Sequence, residues 1–297
     1  MRKNRSSLTA LGIAIVRAIE SAKPEAERIC YDPFARQFVP GFGYHLVRLF
    51  DRLGFNEMRG PGVMGFLTVR ERYIDEFLKS CLAEGMQQLV ILGAGYDARA
   101  YRFDELKKGI KVFEVDHPAS QRDKIEKVQK IFGGIPSHVT FVAIDFNTQQ
   151  LGQRLAESGY AEQNKTLFIW QGVTQYLNSA AVDDTLAFIA HHSGVGSAVI
   201  FDYMYTALLD GTVKHGEVTK MRSDRILRAE MLNFGIPQGT VTQFLEQRGF
   251  CNVQDADAEY LHKTYFTGVN AKRKVTDGYA IASAVVRFSP QPAFETG

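Results

Sequence analysis

The stretch LVILGAGYDARAYRF, residues 89–103, sets an apolar run directly before two glycines one residue apart, an acid and two arginines. Gly93 and Gly95, with Ala94 between them, let a backbone turn sharply and approach a ligand with no Cβ in the way. Other apolar runs also close on polar residues. KVFEVD ends in Glu114-Val115-Asp116, VTFVAID leads into Asp145-Phe146, and TLFIWQG ends in Gln171-Gly172. A carboxylate at Asp116 suits the two hydroxyls of a ribose. One at Asp145 suits the exocyclic amine of adenine, with Phe146 offering the ring an apolar face. These residue types describe an adenine-nucleoside pocket. GAGYDA also satisfies G-x-G-x-x-A, with Asp116 about twenty residues on, as a dinucleotide site requires. The motif alone therefore leaves an NAD(P)-dependent oxidoreductase and an S-adenosylmethionine enzyme both open. The acid after the third run favours the second, as do Arg70 and Arg72 upstream, where a cation suits an amino-acid carboxylate.

The elements that must carry these residues alternate. Apolar runs rich in Val, Ile, Leu and Phe are separated by helix-like segments such as HPASQRDKIEKVQKIF and SAAVDDTLAFIAHHS. This rhythm predicts parallel βαβ units and a doubly wound sheet covered on both faces. In such sheets ligands bind beyond the carboxyl ends of the strands, where strand order reverses. Residues 1–85 read as a helical amino-terminal cover. Its first helix is amphipathic, with Leu8, Leu11, Ile15 and Ile19 on one face. RGPGVMGF reads as a loop that Gly60, Gly62 and Gly65 would let close as a lid. Residues 86–204 form the cofactor core, polar residues 205–240 an inserted helical cap, and 241–297 the rest of the core. In that last part VQDADAEYL and GYAIASAVVRFS suit two antiparallel strands, followed by a loose tail. The whole is one domain with a mostly parallel seven-stranded sheet.

The 297 residues are 45% hydrophobic and 23% charged, with a formal net charge of +2. That balance gives no electrostatic reason to expect nucleic acid or a membrane as partner. Cys30, Cys81 and Cys251 have neither disulfide-framework nor metal-ligand spacing and read as reduced thiols of a cytoplasmic protein. The apolar run ALGIAIV near the start is interrupted by Arg17 and Glu20, and no cleavage site follows, so a signal peptide is not expected. No run is long enough to span a bilayer.

VRERYID, ILGAGYDARAYRF, FEVDHPASQRDK, VAIDF and GVTQYL, in this order and spacing, resemble the leucine carboxyl methyltransferase-like branch of class I S-adenosylmethionine-dependent methyltransferases. DPFARQFV near the amino end resembles the DP segment of that family. The resemblance implies a Rossmann-like methyltransferase fold with S-adenosylmethionine as cofactor. Position by position, it implies that Arg70 holds the methionine carboxylate and that Gly93 lies at the turn beside the cofactor. It places Asp116 at the ribose, and Asp145 and Phe146 at the adenine. One position departs: the family pattern resembles EGVTxYL, and this chain has Gln171 in the place of the glutamate. Gln keeps an acceptor but loses a charge, a change of about 1 kcal/mol or fivefold in affinity. Gln171→Glu is therefore expected to tighten cofactor binding.

Methyl transfer to a carboxylate needs no general base, because the acceptor is ionised at neutral pH. Transfer to a hydroxyl needs one within hydrogen-bond reach. His117 reads as the start of a helix and His191 and His192 as the end of one. No Ser-His-Asp order or metal cluster stands out. The expectation is an S-adenosylmethionine-dependent O-methyltransferase acting on a small-molecule carboxylate. Hydroxyl methylation, an NAD(P)-dependent oxidoreductase and a non-catalytic S-adenosylmethionine-binding protein are the alternatives. Gln175 and Tyr176 after the fourth run, and Tyr203 after the fifth, are the candidates to line the substrate pocket.

Overall fold

A computed structural model of the protein describes residues 8–146, 148–210 and 232–287. The apolar runs become β1 (Gln88–Leu92), β2 (Lys111–Asp116), β3 (Val139–Ala143), β4 (Thr166–Trp170) and β5 (Ala198–Met204), all parallel. β6 (Phe250–Ala256) and β7 (Tyr279–Val286) complete the sheet, β7 running antiparallel to both β5 and β6, in the order β3-β2-β1-β4-β5-β7-β6. The fold is thus the expected doubly wound, mostly parallel Rossmann-like sheet. β1 lies between β2 and β4, so successive crossovers leave it in opposite directions and open a crevice at its carboxyl end. Every residue of β1 and β4 is buried, which is why these strands are apolar without alternation.

Two sequence expectations change. The run VQDADAEYL is not one strand, because β6 stops at Ala256 and Asp257 caps a helix, accepting from the Tyr260 amide at 2.8 Å. Of the glycines expected to hinge a lid, Gly62 and Gly65 pack closely on the 274–276 backbone. A Cβ on Gly62 would lie 2.4 Å from the Thr276 amide nitrogen, and one on Gly65 would lie 1.9 Å from the Lys274 carbonyl oxygen. Most of the segment read as an inserted cap, 211–231, lies outside the described residues. Among the described residues no helix is long and apolar enough to cross a membrane.

Two helices position the site. α1 (Leu8–Ser21) was expected to bury one stripe, but residues 14–20 are buried all round. The helix is wedged between the strand ends and α5 (Val63–Ala83), so Arg17 and Glu20 are buried too, and each has a partner. Arg17 meets Asp32 at 3.2 Å, and Glu20 meets Arg273 at 2.7 Å. In α5 the residues Phe66, Val69, Tyr73, Ile74, Leu78 and Cys81 recur at helical spacing on the buried side. Arg70, Glu71 and Asp75 are interleaved with them and are equally buried.

Candidate active site

After β1 the backbone turns through Gly93 (φ +67°) and Gly95 (φ +45°). A Cβ on Gly93 would lie 2.3 Å from Cγ2 of Val173, so glycine is needed for clearance as well as for the dihedral. The turn aims the Gly95 amide at Asp116, donating to Oδ2 at 2.6 Å, while the His117 amide donates to Oδ1 at 2.6 Å. Burial pushes the Asp116 carboxyl up from its ordinary value, and these two amides oppose that shift. The Ile144 amide donates to the Asp116 carbonyl at 2.9 Å, tying the end of β2 to the segment that carries Asp145 and Phe146. Both of those are half-buried, with Phe146 packed on the core. Gly93 to Gly95, Asp116 and the Asp145-Phe146 pair therefore stand on three adjacent strand ends. α1 roofs them: a Cβ on Gly95 would lie 3.2 Å from that of Ala10, and one on Gly172 3.6 Å from Ile13 Cδ1.

Arg70 reaches the same place from α5. It is 2% exposed and its Nη1 donates to Asp202 Oδ2, in the middle of β5. The other Asp202 oxygen accepts the Gly172 amide at 2.6 Å, and Arg70 Nη1 lies 3.4 Å from where a Gly172 Cβ would be. Nε and Nη2 of Arg70 are buried and make no hydrogen bond among the described residues. A buried guanidinium with two unmet donors is costly unless an anion meets them. Those donors and the glycine turn beside Asp116 fit a ligand with an adenosyl group at one end and a carboxylate at the other.

A second set of charges lies alongside, and the sequence reading did not assign it. Arg99, wholly buried, donates to Asp75 at 2.8 Å, Glu71 at 2.8 Å, Gln171 Oε1 at 2.8 Å, and Asp97. Arg17 adds a contact to Glu71 at 3.4 Å, and Arg102 bonds Asp75 at 2.6 Å. Although burial alone would raise them, the arginines hold Glu71 and Asp97 below the usual carboxylate range. The acid and two arginines of the opening stretch are thus spent on this cluster. A signal was present: Arg70, Glu71 and Asp75 of VRERYID recur at the spacing of the apolar residues that α5 buries.

Gln171 belongs to this cluster, which revises the expectation attached to it. Its Nε2 donates to Glu71 Oε1 at 2.6 Å while its Oε1 accepts from Arg99. A glutamate would set two carboxylates at that distance, and such a pair cannot both ionise. Gln171→Glu is expected to lower the thermal midpoint by several degrees, about 1–3 kcal/mol, and to leave the S-adenosylmethionine dissociation constant no tighter. Calorimetry reads both, and a tighter constant at an unchanged midpoint would reverse this reading.

The candidates for the substrate pocket separate. Gln175 and Tyr176 sit in one 3-10 turn after β4, where Gln175 is 7% exposed and its Oε1 is buried without a hydrogen-bond partner among the described residues. Tyr203 stands apart from them. It faces the opposite side of the sheet from Asp202, is wholly buried, and donates its hydroxyl to Asp255 at 2.9 Å. Alternation along β5 explains this, since a strand sends neighbours to opposite faces. Glu114, at the end of the second run, is also internal, paired with Lys124 at 2.6 Å. His117 caps the helix Pro118–Phe132, its Nδ1 accepting the Ala119 amide at 3.2 Å.

The leucine carboxyl methyltransferase family model matches residues 10–190. A Bacillus subtilis protein provisionally named as the S-adenosyl-L-methionine-dependent methyltransferase YktD is 26% identical over 285 residues, 90% of this chain and 93% of its own. A protein of Mycolicibacterium smegmatis with the same provisional description is 30% identical over 214 residues, 69% of this chain and 70% of its own. Among solved structures, human N-acetylserotonin methyltransferase in complex with S-adenosylmethionine aligns at 15% identity and a TM-score of 0.43. That alignment covers 76% of this chain and 56% of the human one. With the family match spanning more than half of its length, the chain belongs to the leucine carboxyl methyltransferase family and is an S-adenosylmethionine-dependent methyltransferase.

Proposed function

We propose that the protein methylates a carboxylate oxygen of a small molecule. In this reading Arg70 holds the methionine carboxylate of the cofactor through Nε and Nη2, and Asp116 accepts the ribose hydroxyls. Asp145 and Phe146 hold the adenine, Gly93, Ala94 and Gly95 let the backbone approach, and Gln171 fixes the wall beside them. Gln175 and Tyr176 face the acceptor. When bound, S-adenosylmethionine supplies an activated methyl group on a sulfonium. The protein then has to align an acceptor and exclude water, for which α1 is the roof. We read 1–85 as the cover, 86–204 as the cofactor core, 205–240 as a cap and 241–297 as the returning part. The free thiols of Cys30, Cys81 and Cys251 suit a reducing cytoplasm.

The choice of a carboxylate rests on one observation: the acids of the charge cluster beside the turn are already paired. Glu71 and Asp97 are held ionised by Arg99 and Arg17, Asp202 is bonded to Arg70, and the His117 ring nitrogen is used on a backbone amide. Glu71 and Asp97, so held, are poor proton acceptors, and an ionised acceptor carboxylate needs none. The test is a panel of carboxylic acids and phenols with methyl-labelled S-adenosylmethionine. A methyl ester releases labelled methanol in mild alkali, whereas a methyl ether does not. Volatile label from the acids is expected, and alkali-stable label from the phenols alone would assign hydroxyl methylation.

Asp116 gives a pH signature. Burial has raised its pKa above the ordinary 3.8, so it takes up a proton at a higher pH than a solvated aspartate would. The protonated acid is the weaker acceptor. Cofactor affinity is expected to be full near neutral pH and to fall on acidification while ordinary aspartates are still ionised. Asp116→Asn should bind weakly and without that slope. A wild-type affinity flat down to pH of about 4 would remove Asp116 from the ribose.

A further inference from the structure

We infer that Lys124 is a positioning residue of the cofactor site, its buried ammonium supplying positive charge that keeps Asp116 a carboxylate. Alternation along β2 puts Val112, Glu114 and Asp116 on one face of the sheet and Phe113 and Val115 on the other. The core divides in the same way, with Val112 packed among Tyr101 and Val128, and Phe113 and Val115 on the far side. On the first face the helix Pro118–Phe132 folds back along the strand it follows. Its buried side carries Ser120, Gln121, Lys124 and Val128, and Gln121 Nε2 donates to the Glu114 carbonyl at 3.1 Å. Lys124, 2% exposed, brings Nζ to 2.6 Å from Oε2 of Glu114, which has no exposed surface. Asp116 is the next residue along that face, about 7 Å further on, the spacing of alternate residues in a strand.

Stability gives no reason for so deeply buried a pair, because apolar residues of similar volume often serve as well or better in its place. Besides Glu114, the ammonium faces Asp97 of the glycine turn and Tyr101, whose ring centroid lies 5.8 Å from Nζ. Asp97 is already bonded to Arg99. Asp116 is different. Burial raises its carboxyl, and against that stand the two backbone amides, then Lys124, then the adjoining His117. Glu114 sets when the ammonium acts unopposed. Burial pushes the Glu114 carboxyl up to about 7, against the pull of Lys124. Above that value the pair is neutral. Below it Glu114 holds a proton, and the uncompensated charge of Lys124 resists protonation of Asp116 where a buried aspartate would otherwise take one up.

The inference rests on Asp116 accepting the ribose hydroxyls, and the test keeps the two claims apart. Titration calorimetry of the full chain with S-adenosylmethionine, from about pH 8 to about pH 4, follows the loss of affinity on acidification. Lys124→Met should move the midpoint of that loss up by about one pH unit. Lys124→Met with Glu114→Gln should show the same shift while regaining most of any thermal midpoint lost by the single variant, so the shift does not track folding. Glu114→Gln alone should leave the midpoint of the loss at its wild-type pH, because Glu114 already carries its proton there. Asp116→Asn should show no such loss with or without Lys124. A loss that vanishes in Asp116→Asn yet keeps its midpoint in both Lys124 variants overturns the inference and leaves Asp116 at the ribose. An equal upward shift in Glu114→Gln also overturns it, since disturbing the pair would then suffice. A loss that persists in Asp116→Asn removes Asp116 from the ribose, and this role of Lys124 with it.

Discussion

Arg99→Met is expected to lower the thermal midpoint by about 10 °C at neutral pH, the largest stability change we foresee for one substitution. Arg99 has no exposed surface, and its donors meet Asp75, Asp97, Glu71 and Gln171. Methionine fills much of the stem but strips Asp97 of its cation and leaves Glu71 to Arg17 and Asp75 to Arg102, and breaking a buried ion pair costs about 3–5 kcal/mol. The pH dependence tests the cause. In the wild type Glu71 and Asp97 are depressed below 4.5 and 3.8, so the folded state binds fewer protons than the unfolded chain. Their contribution is complete above those values and is lost only as pH falls through the lower folded ones. Without the guanidinium, Asp97 loses the main cation opposing its burial and is raised, while Glu71 keeps Arg17 and Arg102. The variant should then regain stability as it is acidified from neutral pH, and the gap in midpoint between the two proteins should narrow. Calorimetric scans across that range check this, and a gap that widens on acidification would contradict the charge argument.

That cluster also marks where reading the sequence stops. The sheet was legible because buried parallel strands must be continuous in Val, Ile, Leu and Phe, and β1, β2, β3, β4 and β5 are. That Gly93, Gly95, Asp116 and Asp145 lie at or just beyond strand ends was legible because each apolar run marks where its strand stops. Tyr203 lies one position along β5 from Asp202, and one position on a strand exchanges the two faces of the sheet. Its neighbour Asp202, the residue that faces Arg70, was passed over. The pairings of Arg17, Glu71 and Arg99 were not legible at all, since they join α1, α5 and the turn after β1 across 54 and 28 residues of chain. Periodicity places a residue on a face of its own element and says nothing about the element it meets. Gln171 shows the consequence. Considered alone it is a glutamate lacking its charge, but beside Glu71 the amide is the only one of the two that both donates and accepts.

Arg70→Met should weaken S-adenosylmethionine binding by one to two orders of magnitude, from loss of charge-assisted bonds worth about 1.5–3 kcal/mol. The single variant is ambiguous, because it also strands Asp202, 1% exposed, as an unpaired carboxylate whose remaining bond is to the Gly172 amide. Such a loss of stability could itself weaken binding. The pair can be removed together. A buried ion pair replaced by apolar residues of similar size is often neutral or stabilising, so Arg70→Met with Asp202→Leu should restore most of the midpoint lost by Arg70→Met alone. It should not restore binding, since Nε and Nη2 are gone. Asp202→Asn separates the last role: it keeps the guanidinium but loosens its seat, so affinity should fall less than in Arg70→Met. Titration calorimetry of the three variants orders them. A double variant that binds S-adenosylmethionine as the wild type does would leave Arg70 a structural partner of Asp202 and remove the methionine carboxylate from this end of the site.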